Sequence, residues 1–93
     1  MNTMNKVIYI GNIPTNCTES DLTSLFSPFG EVTHIKIPHN YFAPEKQLDF
    51  AFIKLKTVDQ MIVAVEKLQD TEYQNNQLLL RIVDELPEPN TNK

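Results

Sequence analysis

The chain has 93 residues, enough for one domain, and a domain of this size buries only roughly 60 to 65% of the surface its unfolded chain exposes. Its hydrophobic share of 41% and charged share of 22% are those of a globular protein, and no apolar run approaches the ~18 residues that a membrane span requires. Eight Lys plus Arg against twelve Asp plus Glu leave a net charge of -4, which argues against coating a polyanion through bulk charge and makes the placement of the cations more informative than their total.

The N-terminal MNTMNKVIYIGNIP carries one Lys before a short apolar run that Gly11 and Pro14 break, so it does not read as a signal peptide. The single cysteine, Cys17, excludes an internal disulfide framework and fits a reducing, intracellular setting.

In chain order, KVIYIGNI, residues 6 to 13, predicts a first strand. Ile8 and Ile10 share the core face, Tyr9 points the other way, and Gly11 and Pro14 end the run. In the next segment Thr18 stands three residues before Asp21, the spacing of a capping box. Leu22, Leu25, Phe26 and Phe29 then recur at helical spacing, and Pro28 and Gly30 stop the helix. EVTHIKI, residues 31 to 37, predicts a second strand with Ile35 and Ile37 inward and His34 and Lys36 outward. The stretch PHNYFAPEKQ reads as a loop by its prolines, although Tyr41 and Phe42 are apolar for one.

LDFAFIKL, residues 48 to 55, predicts the third strand. Period two sends Ala51, Ile53 and Leu55 to the core and Leu48, Phe50, Phe52 and Lys54 to the opposite face. Two large rings beside a cation are unusual on a face that ordinarily carries polar residues, so either a second layer covers them or they meet a partner. Thr57 and Gln60 form a second capping box ahead of a helix over 58 to 69, with Met61, Ala64, Val65 and Leu68 as its apolar stripe. The chain turns through DTEYQNNQ. LLLRIV, residues 78 to 83, predicts a last strand with Leu80 and Ile82 inward and Leu79, Arg81 and Val83 outward. Residues 1 to 5 are expected to be an extension, residues 6 to 84 the domain, and the acidic, Pro-containing residues 85 to 93 a disordered tail or a linker to a further module.

The order strand, helix, strand, strand, helix, strand predicts a ferredoxin-like α+β sandwich: a four-stranded antiparallel sheet with both helices on one face. Tyr9, Phe50 and Phe52 then lie on the bare face, beside one another if the first and third strands are the central pair.

From Lys6 to Val83 the chain resembles the RNA recognition motif family. IYIGNI, residues 8 to 13, matches the family's six-residue ribonucleoprotein signature, including Tyr9 and Asn12, and LDFAFIKL aligns with the eight-residue one. Phe50, Ala51, Phe52 and Ile53 fit, whereas Leu48 replaces a basic residue, Asp49 a glycine and Leu55 an aromatic. The resemblance implies that Tyr9 and Phe50 stack on two successive bases of single-stranded RNA and that Phe52 packs on sugars. Asn12, Lys36, Lys54 and Arg81 would supply polar or phosphate contacts, and the loop bearing Tyr41 and Phe42 is a further candidate contact. The Leu48 and Asp49 departures predict modest affinity. The expectation is an intracellular, monomeric module, in the nucleus or cytoplasm, of an RNA-processing or RNA-regulatory protein, without a membrane contact and with its helical face as a further surface for other proteins.

A competing reading keeps the fold but covers the sheet, making the chain a protein-interaction module; the net negative charge and the two signature departures favour it. Cys17, His34 and His39 lack zinc-ligand spacing, and two glycines form no phosphate-cradling loop. No Ser, His and acid set can be assembled. An acyl-phosphatase-like enzyme would need an Arg that NIPTNCT lacks. The expectation is a non-catalytic domain without metal or cofactor.

Overall fold

A computed structural model describes residues 6–39, 42–43 and 48–84. The N-terminal extension, Tyr41 and the acidic tail, for which the sequence raised expectations, lie outside the described residues. The first strand, β1 (Lys6–Gly11), runs KVIYIG and buries Ile8 and Ile10 on one side. It ends two residues earlier than the sequence predicts, because Asn12 takes a left-handed backbone with φ 62° and turns the chain out of the ladder. Asn tolerates that conformation better than most residues.

Helix α1 (Glu19–Phe26) opens on the predicted capping box. The Asp21 backbone N–H donates to Thr18 Oγ1 at 3.1 Å and the Thr18 N–H donates to Asp21 Oδ2 at 3.0 Å, satisfying two donors that a helix start otherwise leaves orphaned. Leu22 and Phe26 are buried, and Leu25 and Phe29 pack against the same core. The helix stops at Phe26 with Ser27 as C-cap, ahead of Pro28. Gly30 has no positive φ and so is not a left-handed helix stop; its reason is space. A β-carbon at Gly30 would fall 2.2 Å from Oε1 of Gln60.

Strand β2 (Val32–Lys36) pairs antiparallel with β3 (Phe50–Leu55), with an irregularity the sequence did not reveal. Between the pairs Val32↔Leu55 and His34↔Lys54 the register shifts, leaving Thr33 as an extra residue whose Oγ1 donates to the Lys54 carbonyl at 3.1 Å. Val32 and Ile35, three apart, thereby both pack on the core while His34 and Lys36 are exposed. Strand β3 starts at Phe50 rather than Leu48; Leu48 instead donates its N–H to the Pro38 carbonyl at 3.1 Å.

Helix α2 (Val58–Leu68) is capped by the second predicted box, Thr57 with Gln60. After it, the DTEYQNNQ stretch is more than a turn: β4 (Glu72–Tyr73) and β5 (Asn76–Gln77) make a small hairpin. Its two-residue connection, Gln74 and Asn75, has φ values of 51° and 71°, the backbone of a type I′ turn. The last strand, β6 (Leu79–Asp84), is fastened to the end of α2 by one side chain. Gln69 donates through Nε2 to the Leu80 carbonyl at 2.5 Å and accepts the Leu80 N–H on Oε1 at 3.0 Å.

The main sheet has the order β2, β3, β1, β6, all antiparallel, with β1 and β3 central. Ile8, Ile10, Ala51, Ile53 and Leu80 face Leu22, Phe26, Met61 and Ala64 of the helices in one buried cluster. This is the ferredoxin-like sandwich that the element order predicts, and among the described residues it leaves the other sheet face without helices. Among the described residues no helix is long and apolar enough to cross a membrane.

Candidate nucleic-acid interface

Because β1 and β3 are neighbours, residues far apart in sequence share rows across the sheet face opposite the helices. One row crosses all four strands: Lys36 opposes Phe52, Phe52 opposes Tyr9, and Tyr9 opposes Arg81. The next row holds Phe50, Gly11 and Leu79, and on the other side His34 opposes Lys54. Alternation makes this face the counterpart of the core: in β3 Phe50, Phe52 and Lys54 are half-buried where Ala51, Ile53 and Leu55 are buried.

The three rings form one cluster. Tyr9 and Phe50 have centroids 5.7 Å apart with planes inclined at 33°, Tyr9 and Phe52 are at 5.9 Å and 59°, and Phe50 meets Phe52 edge-on at 5.8 Å and 85°. These separations fall within the range of favourable aromatic pairs. All three rings are half-buried, so each keeps part of its surface accessible.

Lys36 and Arg81 are exposed at opposite ends of the row that contains Phe52 and Tyr9, and Lys54 is half-buried in the neighbouring row. The carboxylates are mostly elsewhere. Glu19, Asp21, Asp59 and Glu66 lie on helices, Glu72 on the hairpin, and Asp84 is paired with Lys6 at 2.5 Å where β6 ends. Among the described residues Asp49, exposed just before Phe50, is a carboxylate beside the rings in sequence.

Asn12 has a structural duty that the sequence did not disclose. Its Nδ2 donates to the Gln77 carbonyl at 2.9 Å, tying the end of β1 to the hairpin, so one of its two amide N–H donors is committed. Leu79 is a member of this face that sequence reasoning did not select: it is 42% exposed and stands beside Gly11. Its place two residues before Arg81 was the available signal. Phe42 is 91% exposed in the loop between β2 and β3.

No group of His, Cys, Asp and Glu among the described residues is arranged to hold a metal ion. Cys17 is buried, and its thiol is pushed up from its ordinary value by that burial and then by the Asp21 carboxylate, which keeps it neutral. An open cavity of about 390 Å³ lies at the hairpin, lined by Asp70, Glu72, Asn75 and Gln77, without an aromatic side chain.

The profile of the RNA recognition motif family matches residues 8–79, a span that takes in β1 from Ile8 on, both helices, β2, β3, the small hairpin and the start of β6. The chain belongs to the RNA recognition motif family. Among similar proteins, the candidate RNA-binding protein RbpD of Nostoc sp. is 31% identical over 71 residues, covering 76% of this chain and 74% of that protein. The small ribosomal subunit protein cS22 of Spinacia oleracea is 26% identical over 77 residues, and there the match spans 83% of this chain but 29% of the relative. In three dimensions this RNA recognition motif superposes on the RNA-binding protein PG1 with a TM-score of 0.82 at 29% identity, covering 88% of this chain and 98% of that one. It superposes on the Rna15 RNA recognition motif with bound RNA (GU) with a TM-score of 0.71 at 25% identity, covering 81% and 79%.

Proposed function

We propose that this RNA recognition motif binds single-stranded RNA across the uncovered sheet face. The observation that carries the reading is the Tyr9 and Phe50 pair, at 5.7 Å and 33°, in a plateau whose central row ends in a cation on each side. Unpaired bases are flat and apolar on their faces, so each ring can take one by stacking, at about 1 to 3 kcal/mol per base. Phe52, edge-on to Phe50, suits packing against a sugar rather than a second base plane. Lys36, Lys54 and Arg81 then meet phosphates, and Asn12, with one amide N–H held by Gln77, contributes through its carbonyl oxygen and its second N–H. That Rna15 binds RNA through a similar fold, and that PG1 and RbpD carry RNA-binding names, supports the same use here.

The binding unit is residues 6 to 84, non-catalytic, intracellular and monomeric. In a longer chain it would act as one module of an RNA-processing or RNA-regulatory protein, as the 29% span of cS22 suggests.

The test is a titration of a mixed pool of short RNAs with wild type, Tyr9→Ala and Phe50→Ala. Each substitution is expected to weaken binding by about 1 to 3 kcal/mol. Unchanged affinity in both variants would remove the stacking reading.

A second reading rests on helix α2, which leaves Ile62 and Val63 each 43% exposed. In that reading the helical face docks a protein, and Ile62→Asp abolishes that contact while RNA binding is untouched.

A further inference from the structure

Gly11 occupies a position where a side chain would ordinarily stand on the ring face. Its row neighbours are Phe50 on β3 and Leu79 on β6, both of which project side chains, so a gap one residue wide separates them. The gap is filled from the adjacent row. A β-carbon at Gly11 would lie 2.7 Å from Oη of Tyr9, 3.0 Å from its Cε2 and 3.1 Å from its Cζ. The outer edge of the Tyr9 ring therefore rests against the backbone of Gly11, and from there it leans toward Phe50 at the 33° inclination described above.

We propose that Gly11 is a positioning residue for RNA binding: by presenting no side chain it lets the Tyr9 ring lie down on the sheet, and so fixes the angle between the two ring planes that receive adjacent bases. The inference rests on the RNA-binding reading of the same face and adds the residue that sets its geometry.

The physical asymmetry is in what yields. Gly11 is held in backbone pairing on both sides, to Phe50 and to Leu79, so an added methyl cannot retreat with the strand. The atoms it would meet are the far end of a side chain with two rotatable bonds, at an exposed face. The ring moves and the sheet does not. Glycine in a strand interior is also the weaker choice for folding, since it packs nothing and loses the most chain entropy. Gly11→Ala is accordingly expected to leave the fold intact while lifting the Tyr9 ring out of line with Phe50.

The experiment is a double-mutant cycle on the full chain, read by affinity for short RNAs of the mixed pool, by thermal melting, and by the ring-proton chemical shifts of Tyr9 and Phe50 in the free protein. Gly11→Ala is expected to stay folded and melt close to the wild-type temperature, the Gly→Ala gain offsetting the loosened ring contact, to move the ring shifts, and to weaken binding several-fold. That is less than the roughly 5- to 150-fold loss expected when a whole stacking ring is removed. In a Tyr9→Ala background the same substitution is expected to cost nothing. In a Tyr9→Phe background, where the nearest atom Oη is gone, the cost falls between the two. Wild-type affinity in Gly11→Ala, or an equal loss with and without the Tyr9 ring, overturns the positioning role while leaving RNA binding standing. A wild-type chain that binds none of the pool overturns the RNA reading and this inference together.

Discussion

Phe52 and Tyr9 stand directly opposite each other across the ladder of β1 and β3, with ring centroids 5.9 Å apart and planes inclined at 59°. Phe52 touches Phe50 as well, at 5.8 Å. It therefore supports both of the other rings, and its loss acts on the platform before any ligand arrives. Aromatic pairs contribute about 0.5 to 1.5 kcal/mol each beyond their burial. Phe52→Ala is expected to lower the melting temperature by about 4 to 8 °C for each kcal/mol lost, and to weaken RNA binding by more than Phe52→Leu does. Calorimetry and titration on the two variants check this. A melting temperature unchanged by Phe52→Ala would mean that the rings do not brace one another.

The cations at the ends of the central row make a prediction about salt. Single-stranded nucleic acid releases about 0.7 of a counterion per neutralised phosphate, so three contacts from Lys36, Lys54 and Arg81 give a log-log slope of about -2. Lys36→Ala and Arg81→Ala are each expected to flatten it by about 0.7. Slopes measured across a potassium chloride series decide the point, and a slope unmoved by either substitution removes that residue from the phosphate path.

Gly30 and Gln60 yield a change of sign. Oε1 of Gln60 accepts the Thr57 N–H at 3.3 Å, so its side chain cannot swing clear of a new methyl at position 30 without opening the cap of α2. Losing that one hydrogen bond of the capping box costs about 0.5 to 1.5 kcal/mol, against the roughly 0.4 to 1 kcal/mol that Gly→Ala recovers from the unfolded chain. Gly30→Ala is expected to be destabilising in the native sequence. With Gln60→Ala already in place the obstruction is gone, and because Gly30 has no positive φ the same change is expected to stabilise. Urea denaturation of the four chains measures both legs.

Alkaline pH is expected to loosen the domain through the hairpin. Burial raises the Cys17 thiol above its ordinary 9.0, with Asp21 adding to the effect, and burial likewise raises Tyr73 above 10.0, with Cys17 and Asp21 adding. In each case the unfolded chain gives up its proton first. The stabilising contribution is then whole below about pH 9 and is lost as pH rises through the folded-state values. Melting temperatures from neutral to alkaline pH are expected to hold level and then fall. Cys17→Ser and Tyr73→Phe are expected to shallow the fall, and an equally steep profile in the double variant would discount both groups.

Much of this was legible in the residues themselves. Thr18 with Asp21 and Thr57 with Gln60 marked both helix starts because a cap is a local device of four residues, and the alternation through Phe50 to Leu55 marked the two faces of β3. The inference that Tyr9 meets Phe50 and Phe52 needed only the element order. What escaped depended on neighbours in space. The surplus Thr33 is invisible until β2 is laid against β3, and strands as short as Glu72–Tyr73 and Asn76–Gln77 are too brief to show a period. The two glycines looked like punctuation; Gly30's missing side-chain volume is taken by Gln60, 30 residues on, and Gly11's by Tyr9, two residues back on the same strand, whose lean shows only in three dimensions. Asn12 likewise looked like part of a signature, and its bond to Gln77, 65 residues away, had no local sign.

The surplus residue in β2 matters beyond the core it helps to fill. β2 is an outer strand, and a flat outer strand is a template on which a foreign strand can extend the ladder, the first step toward fibrils. At Thr33 the spacing of donors and acceptors along that margin is broken, and Thr33 turns its hydroxyl inward to Lys54. A sheet that carries three large half-buried rings on one face is thus guarded along its β2 border against self-association, and deleting Thr33 would remove that guard.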